Sequence, residues 1–417
     1  MNLFRSAVLP LVLICAQAGR ARANSAPQLV DPSGEFGIGR VSFDWRDQAR
    51  PATCPGDAQA EAGGHREMVV YLWYPSALRR RDARGAYVPL AQEIDGHVST
   101  RTIAHDDYGA TWPLMLSGEI YSHALERARV ANSPHGFPLI LFSHGLGSSE
   151  FSYSELIEDL VSHGYAVAGI EHPCSTDMLA FPDGRVAVPH REAMPAGLAS
   201  EKRMQWMMAA ALDGIAEGAA DDRFVLDKLA ELNARGSSSF AVTGNLDLRR
   251  VAAVGHSAGG AIAARACQLD RRIRACVDLE GQLIPVEAIP EFPYKARLQQ
   301  PLLFMEVARS EAQMGGTHQE HETYSGKREE QLRQAPAGSY DVVLRAAGMR
   351  HSSFSDGPIL NAGSDDEARR AAEHNLEIIE TMVRTFLDDT LGHRAKPVLT
   401  ALPASDAEVH RIGNGRK

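Results

Sequence analysis

The residues most able to do chemistry are Gly255-His256-Ser257-Ala258-Gly259, set between the apolar run Val251-Ala252-Ala253-Val254 and the alanine-rich residues 260–266. Strand, G-x-S-x-G and helix in that order form a nucleophile elbow. The sharp turn lifts the serine into a strained backbone, and the glycines let neighbouring chain pass close by. The helix behind Ser257 offers free N–H groups and a partial positive charge, which suit a developing oxyanion. A serine hydroxyl attacks only when a base takes its proton, and the base needs an acid to hold its tautomer. In this arrangement the chain order is serine, acid, histidine.

The histidines after the elbow are His318, His321, His351, His374, His393 and His410. Only His351 directly follows the last predicted strand, Tyr340 to Leu344, and it is the expected base. For the acid, Glu280 ends the strand after the elbow helix, while Glu306 and Glu311 lie around the end of the next strand; pattern alone leaves these open. Asp278 shares a strand face with Glu280 but sits deeper in the strand. The oxyanion donors are expected to be the N–H groups of Ala258 and of Leu146, in His144-Gly145-Leu146-Gly147.

These residues need a scaffold. Val41, Phe43 and Trp45 alternate with polar residues and predict a strand, as does Met68 to Tyr74. A helix is expected within Leu114 to Val130, where Trp112, Leu114, Met115, Ile120 and Tyr121 offer apolar surface for transient contact with lipid. Pro138 to Phe142 is a buried strand. Ser152 and Glu155 form a capping box opening a helix whose apolar face is Leu156, Ile157, Leu160 and Val161, closed by Gly164. Tyr165 to Ile170 is the next strand, ending at Glu171-His172. Residues 175–248 read as an insertion with two helices, near 201–212 and 221–232, the first carrying the apolar run Met204, Trp206, Met207 and Met208. Ile273 to Leu279 and Leu302 to Val307 are strands, a polar loop and helix fill about 310–334, and Leu376, Ile379, Val383 and Phe386 mark a final helix. Alternating strands and helices imply a mostly parallel sheet covered on both faces, with ligands at the carboxyl ends of the strands. His144, Glu171, Ser257, Glu280 and His351 all fall at such ends. The fold class is α/β, specifically an α/β-hydrolase with a helical insertion before the nucleophile strand, in one domain over residues 24–395.

The chain has 417 residues and a net charge of −10, with no basic stripe, which argues against a nucleic-acid partner. Arg5, an apolar run from Ala7 to Cys15 and Ala21-Arg22-Ala23 read as a secretory signal peptide over residues 1–23, so a secreted or periplasmic protein is expected. Cys54, Cys174, Cys267 and Cys276 then remain, either bridged or buried as thiols; Cys267 and Cys276 are placed to pair. After about Lys396 the polar chain reads as a disordered tail. His318-Gln319-Glu320-His321 lacks the spacing of zinc-protease motifs, and neither metal nor organic cofactor is expected.

Trp73-Tyr74-Pro75, Phe142-Ser143-His144-Gly145-Leu146-Gly147, Glu171-His172 and Gly255-His256-Ser257 with Gly259-Gly260, in that order, resemble the platelet-activating factor acetylhydrolase family, the plasma-type, calcium-independent phospholipase A2 group of α/β-hydrolases. The resemblance spans roughly residues 38–390. It implies a serine ester hydrolase for short-acyl esters, including the sn-2 acyl group of phospholipids. It places the acid at Glu280, with Glu where the family usually has Asp, the base at His351 and an oxyanion donor at Leu146. Ala258 stands where mammalian members carry Phe, which opens the pocket. A general carboxylesterase or polyester hydrolase is the alternative, and a peptidase or a non-catalytic binding protein of the same fold are further ones.

Overall fold

The computed structural model describes residues 28–52, 63–78, 85–91, 94, 112–176, 179–187, 200–235, 242–281, 298–309, 332–392, 399 and 405–412. Ten strands make the central sheet. In chain order they are β1 (Gly37–Pro51), β2 (His65–Ser76), β3 (Ala124–Glu126), β4 (Phe137–Ser143), β5 (Ala166–Glu171), β6 (Leu246–His256), β7 (Ile273–Leu279), β8 (Leu302–Val307), β9 (Ser339–Leu344) and β10 (Ala407–Ile412). Their spatial order is β10-β9-β8-β7-β6-β4-β5-β2-β1-β3. From β9 to β5 every neighbouring pair is parallel. β2 runs antiparallel to both β5 and β1, and β10 antiparallel to β9.

Among the described residues four long helices cover the sheet: α1 (Ser154–Ser162), α2 (Ser200–Ala234), α3 (Ala258–Leu269) and α4 (Asp366–Leu391). Both faces of a parallel sheet must be sheltered, which is why β4 reads as an unbroken apolar run. Its alternate residues face opposite layers. Ile140 and Phe142 pack with Leu156, Ile157, Ile379 and Val383 of α1 and α4. Leu139 and Leu141 pack with Ala219, Leu226, Ala263 and Ala266 of α2 and α3. The layers hold the carboxyl ends of β4, β6, β7 and β9 side by side, and the chemically competent loops leave from those ends.

The structure departs from several expectations. α1 starts at Ser154, not Ser152, because its first amides are capped from a distance: Asp356 accepts from Ser154 N–H at 2.9 Å and from Glu155 N–H at 3.2 Å. The insertion holds one 35-residue helix, α2, in place of two; the side chains of Met204, Trp206, Met207 and Met208 lie outside the described residues. Helix within Leu114 to Val130 is confined to Trp112–Leu116, followed by extended chain that becomes β3. Trp112, Met115 and Ile120 are buried in the core, so they present no surface to lipid, while Tyr121 is exposed. The chain beyond Lys396 is not all tail, since β10 pairs with β9 from Ser339↔Ile412 to Leu344↔Ala407. Cys267 and Cys276 are joined by a disulfide, and Cys174 is disulfide-bonded as well. The leader, Cys54, Glu311 and His318 to His321 lie outside the described residues. Among the described residues no helix is long and apolar enough to cross a membrane.

Candidate active site

β6 delivers Ser257 to the carboxyl edge of the sheet, and α3 begins at the next residue. Ser257 has φ 55° and ψ −123°, a region that L-residues avoid at about 1–3 kcal/mol. The turn is possible because Gly259 passes against the end of β4: a methyl group on Gly259 would lie 2.0 Å from the Ser143 carbonyl oxygen. Ser257 N–H donates to Leu279 O at 2.9 Å, which ties the elbow to the end of β7.

Glu280, the residue after that anchor, also has a positive φ, 54°. Its N–H donates to Met305 O at 2.7 Å, and its carboxylate turns back over the ends of β7 and β8. Oε2 lies 2.9 Å from His351 Nδ1, while Oε1 accepts from Val307 N–H at 3.3 Å and pairs with Arg309 at 2.7 Å. A carboxylate on Nδ1 leaves Nε2 as the lone-pair nitrogen of a neutral imidazole. His351 opens a 3-10 turn, His351–Phe354, beyond β9, and its side chain is 32% exposed against 9% for Glu280. Glu306 lies within β8, paired in register with Val343. Asp278 is fully buried beneath the elbow, where its Oδ1 accepts from Gly281 N–H at 2.6 Å.

The β4–α1 loop closes the other side. A methyl group on Gly145 would come within 3.5 Å of Ser257 Cβ, so this backbone lies against the serine. Its polar groups can be accounted for in turn. Gly145 N–H donates to Tyr153 Oη at 3.0 Å. Gly145 O accepts from His144 Nδ1 at 2.8 Å and from Ser148 N–H at 3.1 Å. Gly147 N–H donates to Ser175 O at 2.7 Å. No acceptor among the described residues meets Leu146 N–H. Ala258 N–H, at the first position of α3, has no earlier helical carbonyl to bond. The Leu146 side chain is exposed, at the rim of the site.

Two groups near the serine gave no signal in the sequence beyond their types. His256 fills the variable position of the motif, fully buried, with its ring 4.5 Å from that of His351. Burial, and then the nearness of His351, holds its pKa well below the usual imidazole value, so it is neutral. Arg309 is the second side-chain partner of Glu280.

A further cluster lies beneath the loop. His172 Nε2 is 3.0 Å from Ser143 Oγ, and His172 Nδ1 is 3.0 Å from Asp221 Oδ2. Ser143 Oγ also donates to Asp222 Oδ1 at 3.1 Å. Arg66 clamps Asp221 with bonds of 2.7 and 2.6 Å. Burial works against the Asp221 charge, but Arg66 and His172 outweigh it and hold its pKa below the carboxylate range. Burial pushes Asp222 up to about 7. Thus Glu171-His172 sits at a strand end as expected, yet its side chains are sealed inside. Among the described residues no group of His, Cys, Asp and Glu is placed to hold a metal ion.

The sequence matches the family described as platelet-activating factor acetylhydrolase, isoform II, over residues 23–181 and 212–363. It is 26% identical over 247 residues to a platelet-activating factor acetylhydrolase of Canis lupus familiaris, covering 52% of each chain. A probable 1-alkyl-2-acetylglycerophosphocholine esterase of Arthroderma benhamiae is 23% identical over 429 residues, covering 95% of this chain and 97% of that one. Against the mammalian relatives the match spans about half of their length or less. A ferulic acid esterase from Streptomyces cinnamoneus has a similar structure, with a TM-score of 0.65 and 25% identity, covering 93% of this chain and all of that one.

Proposed function

We propose, for a chain that belongs to the platelet-activating factor acetylhydrolase isoform II family, that it is a serine ester hydrolase of short-acyl esters, with the sn-2 acyl group of phospholipids as its substrate class. The carrying observation is the 2.9 Å bond between Glu280 and His351 Nδ1 beside a serine in a strained elbow. In this reading His351 Nε2 takes the Ser257 proton as Oγ attacks the ester carbonyl. The N–H groups of Leu146 and Ala258 receive the oxyanion. The tetrahedral intermediate collapses, His351 returns the proton to the leaving alcohol, and an acyl-enzyme remains. Water, activated by the same histidine, releases the acid and restores Ser257. Glu280 fixes the imidazole tautomer and stabilises the imidazolium that forms in each half-reaction. These steps use side chains and backbone amides alone.

The signal-like leader and the disulfides support export to an oxidising compartment. The test is hydrolysis of p-nitrophenyl acetate, butyrate and octanoate, with EDTA present, by wild type, Ser257→Ala, Glu280→Gln and Glu306→Gln. Activity lost in the first two variants and kept in Glu306→Gln is the expected result. Loss confined to Glu306→Gln would move the acid to β8, and inertness toward every ester would remove the hydrolase reading. A second reading, a general carboxylesterase, is favoured by the full-length likeness to the ferulic acid esterase. Methyl ferulate against a 2-acetyl phospholipid separates the two.

A further inference from the structure

The Tyr153 hydroxyl stands between the two halves of the site. Tyr153 ends the 3-10 turn Glu150–Tyr153, and its ring is wholly buried against Phe142, with centroids 5.0 Å apart. Its Oη accepts from Gly145 N–H at 3.0 Å and lies 2.9 Å from His256 Nδ1. A neutral, buried His256 has one lone-pair nitrogen. Tyr153 Oη already accepts the Gly145 N–H, and its own O–H can serve that lone pair at His256 Nδ1. The His256 ring lies against the rings of both His351 and Phe354, at 4.5 and 5.3 Å. A continuous chain therefore runs from the Gly145 amide through Tyr153 and His256 to the segment that carries His351.

We propose that Tyr153 and His256 are a positioning pair, hydrogen-bonded to each other and to the loop and in ring contact with His351, that fixes the Leu146 amide and the His351 imidazole relative to each other across the substrate carbonyl. This rests on the Ser257 hydrolase reading. The geometry gives the reason. Gly145 is held at its N–H by Tyr153 and at its carbonyl by His144 and Ser148. Carbonyl and N–H point in opposite directions across a trans peptide, so pinning the Gly145 carbonyl aims the Leu146 N–H away from His144. Oxyanion donors work only within about 2.7–3.1 Å of the charge, and a misplacement of about 1 Å costs about 10²-fold. A tether from the loop to the base keeps both within that tolerance as the intermediate forms.

The test is Tyr153→Phe, which keeps the ring and removes only the hydroxyl. On p-nitrophenyl acetate kcat is expected to fall about 10- to 10²-fold with KM within about threefold. Affinity for a trifluoromethyl ketone, which takes Ser257 Oγ at its carbonyl carbon and leaves an oxyanion, should fall by the same factor. His256→Asn keeps a side-chain oxygen near the Nδ1 position and should retain more activity than His256→Leu. That pair carries the test should Tyr153→Phe not fold. Unchanged kcat in Tyr153→Phe, a loss of melting temperature alone, or equal activity in the two His256 variants would overturn the tether. Full activity in Ser257→Ala would instead overturn the hydrolase reading, whatever Tyr153→Phe does.

Discussion

Among the described residues, two groupings of serine, histidine and carboxylate lie at this sheet, one open and one sealed. Ser257, His351 and Glu280 gather at the carboxyl edge, with His351 one-third exposed. Ser143, His172 and Asp221 repeat the pattern with Asp in place of Glu and are joined by hydrogen bonds of 3.0 Å, yet all three are completely buried. The backbones differ too. Ser257 sits at φ 55° with α3 behind it, whereas Ser143 ends the regular strand β4 and its hydroxyl is already shared between His172 and Asp222. The two differ in access and in what the serine hydroxyl already bonds, and the proposed function assigns the nucleophile to the open one on those grounds.

Removing each serine separates the two groupings most strongly. Ser257→Ala is expected to lower kcat/KM on p-nitrophenyl acetate by about 10⁴-fold or more at an unchanged melting temperature. Ser143→Ala should stay within about tenfold of wild type while losing roughly 1–3 kcal/mol in urea unfolding, the signature of a buried hydrogen-bond network. Exchanged outcomes would reverse the assignment of the relays. The acids come next. Glu280→Gln should lower kcat by about 10²- to 10⁴-fold, read in the same assay. In the sealed group, Arg66→Ala removes the larger of two guanidinium clamps on Asp221 and leaves Arg50 at 2.7 Å, with an expected destabilisation of about 1.5–3 kcal/mol by urea titration.

The smallest effect is a pH dependence. The folded-state pKa of Asp222 is raised to about 7 from 3.8, so between those values the folded protein binds a proton that the unfolded chain has released. The Asp222 contribution to stability is then greatest at low pH, declines as pH rises toward 7, and is level above that. Asp222→Asn retains an acceptor for Ser143 without the titration, so its stability relative to wild type should rise across that interval. Parallel urea curves at pH 5, 6, 7 and 8 would check it, and a constant difference would refute it.

Much of the open site was legible because its determinants are local. Strand, motif and helix adjoin in sequence around Ser257, and His351 follows its strand directly. The choice among Glu280, Glu306 and Glu311 could not be made from pattern. It depends on the backbone turn at Glu280, whose φ of 54° sends the carboxylate back toward His351. The family resemblance pointed to Glu280, and the described geometry brings Glu280 to that histidine. Long-range partners were hidden for a different reason. Asp356 caps α1 across about two hundred positions of chain, and Tyr153 meets His256 only once β4 and β6 are neighbours. The insertion read as two helices near 201–212 and 221–232, but packing on α3 and the sheet carries α2 straight through Gly214 and Gly218 between them. β10 escaped notice because half of its six residues are polar or charged and only Ala407 is fully buried.

That last strand has a consequence for solubility. A sheet with parallel strands inside must end somewhere, and an open edge offers its amides and carbonyls to any passing chain. Here one margin is β3, only three residues long. The other is β10, whose outer flank carries Glu408 paired with Arg345 and with His410. The six residues of β9 are thereby withheld from strand addition. A chain cut before residue 405 would keep every group of the open relay and lose its guard, so its shortened lifetime in concentrated solution would come from self-association and not from damaged chemistry.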